Sequence, residues 1–242
     1  MTPKQTLSKG PILTTAYTEV DFPAVTEGVY APQEDTRLLV DVMAKTGLAR
    51  GRRVADLCTG SGVMAIAAYE QGATEVTAFD ICRRAVECAR SNAAAACVDV
   101  AVHLGSWARA MEFGPYDLIV CNPPYVPHDP SIEGMLLPSH LGPALAWDAG
   151  YDGRLVLDPL CATAKEFLAD GGTVLLVQSE FAEPRQTLAV LAGCGLDADV
   201  IARQWVPFGP VLSSRAQWLE DTGRLEPGRR EEEISVIRAD KP

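Results

Sequence analysis

The 242-residue chain predicts an α/β protein: a doubly wound, mostly parallel seven-stranded sheet, Rossmann-like, with helices on both faces. Short apolar runs alternate with longer helix-compatible segments along most of its length. Those runs are apolar throughout, as strands covered on both faces are. The first of them leads into a glycine-rich turn that opens a helix, the usual entrance to a ligand cradle.

Residues 1–50 read as an N-terminal segment, a turn-rich start followed by a lid helix over 33–46. Residues 51–242 read as the main domain. Its first strand covers 53–57 (RVADL), and a helix follows over 62–70. A strand over 75–79 precedes an alanine-rich helix over 82–95. Strands over 98–104 and 116–121 come next, then a helix over 154–168 and a strand over 172–177. A helix over 184–192, a strand over 197–204 and a last strand over 233–238 complete the alternation. Residues 206–230 carry Pro207, Pro210 and Pro227 around a short helix near 215–220, and read as an insertion before the last strand.

Composition narrows the function. Net charge is −11 and the pI is near 4.7, which argues against a nucleic-acid partner, since such binding rests on a basic face that releases counterions. Arg50, Arg52 and Arg53 form the densest basic cluster, and Arg229 and Arg230 are offset by Glu231, Glu232 and Glu233. No apolar stretch reaches eighteen residues, so no membrane span is expected, and the first residues lack the apolar run of a signal peptide. The seven cysteines form no CxxC pair and fit the reduced thiols of a cytoplasmic protein without a structural metal.

The turn after the first strand, Asp56-Leu-Cys-Thr-Gly-Ser-Gly62, suits close approach of a cofactor to the backbone at Gly60 and Gly62. Asp80, ending the second strand, is placed to bond ribose hydroxyls. Gly60, Gly62 and Ala65 also satisfy a GxGxxA pattern, so a nicotinamide dinucleotide stays open. Asp56 favours S-adenosylmethionine, because a carboxylate there orients a cationic methionine end and repels a pyrophosphate. Ser106, after the third strand, is positioned either to meet the adenine amine or to cap the helix that follows. Thr59, Ile81, Trp107 and Asn122 join these residues as cofactor-lining positions.

The fourth strand ends in Cys121-Asn-Pro-Pro-Tyr125. Two prolines stop a strand, since neither donates to a ladder. The arrangement suits a planar NH₂ group as methyl acceptor, an amide or an aryl amine. Its nitrogen lone pair is conjugated; the peptide rotation barrier of ~18–20 kcal/mol measures how strongly. Two acceptors on the NH₂ hydrogens favour a pyramidal, nucleophilic nitrogen. The Asn122 side-chain oxygen is one, and the Pro123 carbonyl, fixed by the Pro-Pro backbone, is the other. Tyr125 offers a flat face to the planar group. His103, His128 and His140 show no nucleophile or metal spacing and read as packing or surface residues.

These residues resemble HemK-like class I methyltransferases, which modify the glutamine of a Gly-Gly-Gln motif in translation release factors. The resemblance covers about residues 28–205 and the last strand. The Asn-Pro-Pro-Tyr motif is shared with adenine and cytosine amino-methyltransferases. The stretch VYAPQEDT at 29–36 is similar to the eukaryotic and archaeal release-factor branch, as is AWDAGYDGR at 146–154. The resemblance implies that Tyr30, Pro32, Glu34, Asp35 and Thr36 line the cofactor site, although Asp35 and Thr36 also suit a helix start. It implies a short member without the helical N-terminal domain of the bacterial enzymes, a release factor as protein substrate, and a small zinc-binding activator subunit as partner. The 206–230 insertion lies outside the family pattern. Two alternatives remain open: methylation of an adenine amine, a lysine or a small metabolite, and a noncatalytic binding protein on the same fold.

Overall fold

The computed structural model describes residues 25–130 and 143–242. Seven strands form one sheet in the order β3-β2-β1-β4-β5-β7-β6. They are β1 (Arg53–Leu57), β2 (Glu75–Asp80), β3 (Ala101–Leu104), β4 (Tyr116–Cys121), β5 (Leu168–Ser179), β6 (Asp197–Pro207) and β7 (Glu231–Asp240). All neighbouring pairs from β3 through β5 are parallel; β7 runs antiparallel to both β5 and β6.

The helices are α1 (Glu34–Thr46), α2 (Val63–Glu70), α3 (Arg83–Ala95), α4 (Leu157–Phe167), α5 (Pro184–Gly193) and α6 (Pro210–Asp221). Successive strand residues point to opposite faces, which sorts the core into two layers. Val54, Val76, Leu118 and Leu175 face Leu38, Leu39, Ala65, Ala68, Val86 and Ala89 of α1, α2 and α3. Ala55, Leu57, Ile119, Cys121 and Leu176 face Leu160, Phe167 and Leu191 of α4 and α5. The predicted lid helix thus packs in the same layer as α2 and α3.

Parallel register brings the loops that matter to one level. Leu57 is opposite Phe79 on one side and Cys121 on the other. The next residue of each strand or turn is Cys58, Asp80 and Asn122, so the two predicted halves of the site meet at the carboxyl edge of the sheet.

Element boundaries differ from expectation where the chain turns. The third strand begins at Ala101 and not at 98, because Cys97 takes a left-handed φ of 55° and residues 98–100 form the return to the sheet. The fourth helix begins at Leu157 and not at 154; residues 154–156 form the lead-in. The fifth strand starts earlier, at Leu168, because its pairing with β4 crosses an irregularity between Tyr116 and Leu118. The inserted helix is longer than expected, running from Pro210 to Asp221, with proline in its first turn where a missing N–H costs nothing.

Gly62 caps α2 at φ 86°, and a Cβ there would sit 3.0 Å from Ala89 Cβ and 3.1 Å from Ala89 Cα on α3. Both backbone conformation and helix contact therefore require glycine. Gly62→Ala is expected to lower stability by about 1–3 kcal/mol, read as a shifted denaturant midpoint. An unchanged midpoint would show that α2 and α3 separate freely.

Candidate active site

A cavity of about 240 Å³ opens over the carboxyl ends of β1, β2 and β4. A single water needs only about 30 Å³, so the space suits an extended ligand. The cavity takes in Tyr30, Pro32, Asp35, Thr36, Asp56, Thr59, Gly60, Asp80, Ile81, Ser106, Trp107, Asn122, Pro123 and Tyr125. Two predicted positions stand apart from it. Glu34 is solvent-exposed beside a smaller pocket, because the first turn of α1 points it away from the side that buries Asp35 and Thr36. Gly62 faces α3 and serves packing instead of ligand contact.

The glycine turn is built by its two acids. Asp56 is buried, and its Oδ2 accepts from Thr59 Oγ1 (2.5 Å) and from Ala65 N (3.0 Å), tying the loop to the first turn of α2. Burial pushes its carboxyl up to about 7 despite those bonds, so a cation beside it in the cavity would favour ionisation. Asp80 accepts from Gly60 N through Oδ2 (2.9 Å) and from Cys82 N through Oδ1 (2.8 Å). It both braces the turn and starts α3, and each oxygen keeps a second lone pair for a ligand hydroxyl. At Gly60, φ is 55° and nothing approaches the Cβ position within 4 Å, leaving the turn open on the cavity side. Ser106 makes no side-chain cap bond to the 3₁₀ turn that follows it and lines the cavity. The residues therefore fit a nucleoside with a cationic amino-acid tail: acid at the ribose level, open glycine backbone, acid beside the loop.

On the other side, Asn122 and Tyr125 share one anchor. Asn122 Nδ2 donates to Asp35 Oδ2 (3.0 Å) and to Thr36 Oγ1 (3.1 Å). The Tyr125 hydroxyl donates to the same Asp35 oxygen (2.7 Å). With both amide hydrogens engaged on α1, the orientation of the Asn122 amide is fixed and its oxygen is left as the free acceptor. Burial, and then the Asp35 charge, hold Tyr125 well above the usual tyrosine range, so it remains a donor. Gly153 lies behind this turn: at φ 75° any Cβ would sit 2.4 Å from the Tyr125 carbonyl oxygen.

Several lining residues were not among the predicted site positions. Leu145 and Trp147, which follow residue 142, line the same cavity. Of the histidines, His103 stacks on Phe79 (5.4 Å between centroids), and His128 Nδ1 pairs with Asp148 Oδ2 (2.6 Å). His140 lies outside the described residues. Among the described residues no group of three His, Cys, Asp or Glu could hold a metal, and no helix is long and apolar enough to cross a membrane.

Glu232, at the start of β7, is only 8% exposed and its Oε2 has no partner among the described residues. Burial, opposed by Ser179 and Arg229 but reinforced by the Asp35 and Glu180 charges, pushes it up to about 7 from an ordinary 4.5. The unfolded chain ionises this group first. Stability is thus lost as pH rises from about 4.5 to about 7, and the loss persists above that. Glu232→Gln is expected to raise Tm at pH 8 and leave it unchanged at pH 4. Asp56 contributes a slope of the same sign in both proteins, so the difference isolates Glu232. Equal Tm values at pH 8 would refute the burial argument.

The family described as the methyltransferase small domain matches residues 25–135. A Methanocaldococcus jannaschii protein, named as a candidate protein N5-glutamine methyltransferase, is 31% identical over 184 residues, covering 76% of this chain and 89% of that one. The release factor glutamine methyltransferase of Mycolicibacterium smegmatis is 32% identical over 182 residues, covering 73% of this chain and 63% of its own. The matches cover from 39% to 63% of the length of the bacterial enzymes. Among solved structures, the E. cuniculi Mtq2-Trm112 complex, responsible for methylation of the eRF1 termination factor, aligns at a TM-score of 0.58. Its identity is 22%, with 89% of this chain and 99% of that chain covered. At that identity the likeness shows the fold.

Proposed function

The chain belongs to the protein N5-glutamine methyltransferase family, as an S-adenosylmethionine-dependent enzyme, and from that premise we propose that it methylates the side-chain amide of the glutamine in the Gly-Gly-Gln motif of a peptide chain release factor. The observation that carries the reading is the double tether of Asn122 Nδ2 to Asp35 and Thr36. It commits the Asn122 oxygen to accepting, which is what an incoming NH₂ group requires.

S-adenosylmethionine, when bound, supplies a methyl group made electrophilic by a sulfonium. Gly60, Asp80 and Ser106 would hold its nucleoside, and Asp56 its cationic end. Asn122 Oδ1 takes one N–H of the acceptor amide and the Pro123 carbonyl takes the other. Positive charge would grow on the acceptor nitrogen as it takes the methyl group. The two fixed oxygens then bind more strongly than in the ground state, which is where rate enhancement comes from. One N–H proton then passes to water, which returns the methylated amide to neutrality. The Tyr125 ring, fixed through its hydroxyl on Asp35, presents its face to the amide plane. Asp35 is thus the orienting residue of the acceptor side.

An activator subunit belongs to the same proposal, supported by the resemblance at residues 29–36, and so does a cytoplasmic setting, supported by seven free cysteines. Purification from the native cell without any small subunit would count against the first. The net charge of −11 favours a protein acceptor over nucleic acid.

The direct test supplies methyl-labelled cofactor and a release factor. Label is expected on the Gly-Gly-Gln glutamine, located by peptide mass spectrometry, and absent from a Gly-Gly-Asn variant. Transfer to a nucleic acid or a lysine, with none to the glutamine, would reject the assignment.

A further inference from the structure

The segment that follows the acceptor motif cannot hold itself in place. Residues 122–128 include Pro123, Pro124 and Pro127, which bring no N–H. Two of the remaining amides engage the segment around 147–150: Val126 N donates to Trp147 O (2.9 Å) and His128 N to Gly150 O (2.7 Å), while Ala149 N returns to Val126 O (3.1 Å). This isolated bridge, Val126 opposite Asp148, lies outside the hydrogen-bond ladder of the main sheet.

We propose that the inserted helix α6 is a positioning device for the acceptor side of the cavity, and that Arg215 is the residue through which it acts. The proposal rests on reading Asn122 and Pro123 as the acceptor-binding groups. Arg215 is a long charged side chain only 1% exposed. Its Nη1 donates to the carbonyls of Pro127 and Val126, the second at 3.4 Å. Its Nη2 pairs with Asp148 Oδ2 at 3.1 Å, and its guanidinium lies 4.7 Å from the centre of the Trp147 ring. Asp148 accepts in turn from His128 Nδ1 (2.6 Å) and, through Oδ1, from Gly150 N (3.1 Å). One guanidinium thus joins both strands of the bridge just beyond Tyr125.

A buried charge is costly unless its donors are met and its charge is balanced. Here the balance comes from Asp148, and the acceptors for Nη1 come from a segment whose prolines leave carbonyls in excess; Nε alone has no partner among the described residues. A lysine, with a point charge and no planar fork, cannot serve two carbonyls, a carboxylate and a ring face together. The hairpin itself does not need the helix. β6 and β7 pair out to Pro207 opposite Glu231, so a short turn would close it. Instead α6 carries its own small core of Leu212, Ala216, Leu219 and Leu225, with Val126 packed against it. A second contact comes from Arg224, which stacks on Tyr151 (4.2 Å) and donates to its carbonyl (2.7 Å).

The test is hydrogen exchange together with steady-state kinetics on the full chain. Arg215→Met is compared with wild type and with Leu191→Ala, a buried α5 position that loses stability away from the bridge. In Arg215→Met the amides of Val126, His128 and Ala149 are expected to exchange at least roughly tenfold faster, while β1 and β5 stay protected. On a glutamine peptide kcat should fall roughly 10–100-fold, with cofactor affinity changed less than about twofold. Leu191→Ala should show neither effect. Unchanged protection in folded Arg215→Met overturns the proposal, and so does faster exchange with wild-type kcat, which would make Arg215 a fold anchor only. If that variant does not fold, Asp148→Asn is read by the same measurements, and unchanged protection there is equally fatal. Failure of the wild type to methylate any glutamine peptide would instead sink the substrate assignment and leave the exchange result standing.

Discussion

Asn122→Ala is expected to lower kcat on a glutamine peptide on the order of 10²–10³-fold, the scale of losing one fixed polar group that acts in the transition state. Cofactor affinity should hardly move, because the cradle is made by Asp56, Thr59, Gly60 and Asp80, whose bonds do not involve Asn122. The reason for so large an effect is orientation. Both hydrogens of the Asn122 amide are taken by α1, at 3.0 and 3.1 Å, so its oxygen is aimed before any acceptor arrives. A loosely held amide would reorient and lose part of that advantage. Single-turnover methyl transfer, with calorimetry for the cofactor, separates chemistry from binding. Wild-type turnover in the variant would remove Asn122 from the mechanism.

Asp35→Ala is expected to cost on the order of 10²-fold in kcat while leaving Asn122 and Tyr125 in the chain. Asp35 Oδ2 receives both Asn122 Nδ2 and the Tyr125 hydroxyl, and Oδ1 receives Thr36 N at 2.6 Å. Its removal strands a buried phenol and frees an amide, each unmet buried group costing about 1–3 kcal/mol. Asp35→Asn keeps an acceptor oxygen and should recover part of the rate. The sharper measurement is the double variant with Asn122→Ala. If Asp35 acts by aiming Asn122, the pair should lose little more than the worse single change, because residues working as one unit are not additive. Losses that multiply would mean that Asp35 acts on its own account.

What the sequence disclosed was local. The glycine turn, Asp80 and the Asn-Pro-Pro-Tyr exit each sit a residue or two from a strand end, and parallel register then brings strand ends together. Spacing along the chain was therefore enough to gather them. Direction and neighbour order of the last strands were not legible, since an apolar run of β7's length reads the same antiparallel between β5 and β6 as parallel at an edge. The position of Glu34 beside the smaller pocket was not legible, because motif membership does not say which side of a helix a residue occupies. Asp35 was placed with the cofactor, whereas its bonds run to Asn122, 87 residues away. The link from Arg215 to Asp148 spans 67 residues and joins an insertion to a loop. No periodicity or motif marks such a contact; only packing creates it.

The antiparallel pairing of β6 with β7 has a consequence for where the chain can be lengthened. Parallel neighbours need a crossover that traverses a face of the sheet, so changing its length disturbs the layers on that face. A hairpin opens outward, and lengthening its tip costs little, since closure entropy grows only with the logarithm of loop size. The tip between Pro207 and Glu231 is thus a place where added chain leaves both faces of the sheet undisturbed.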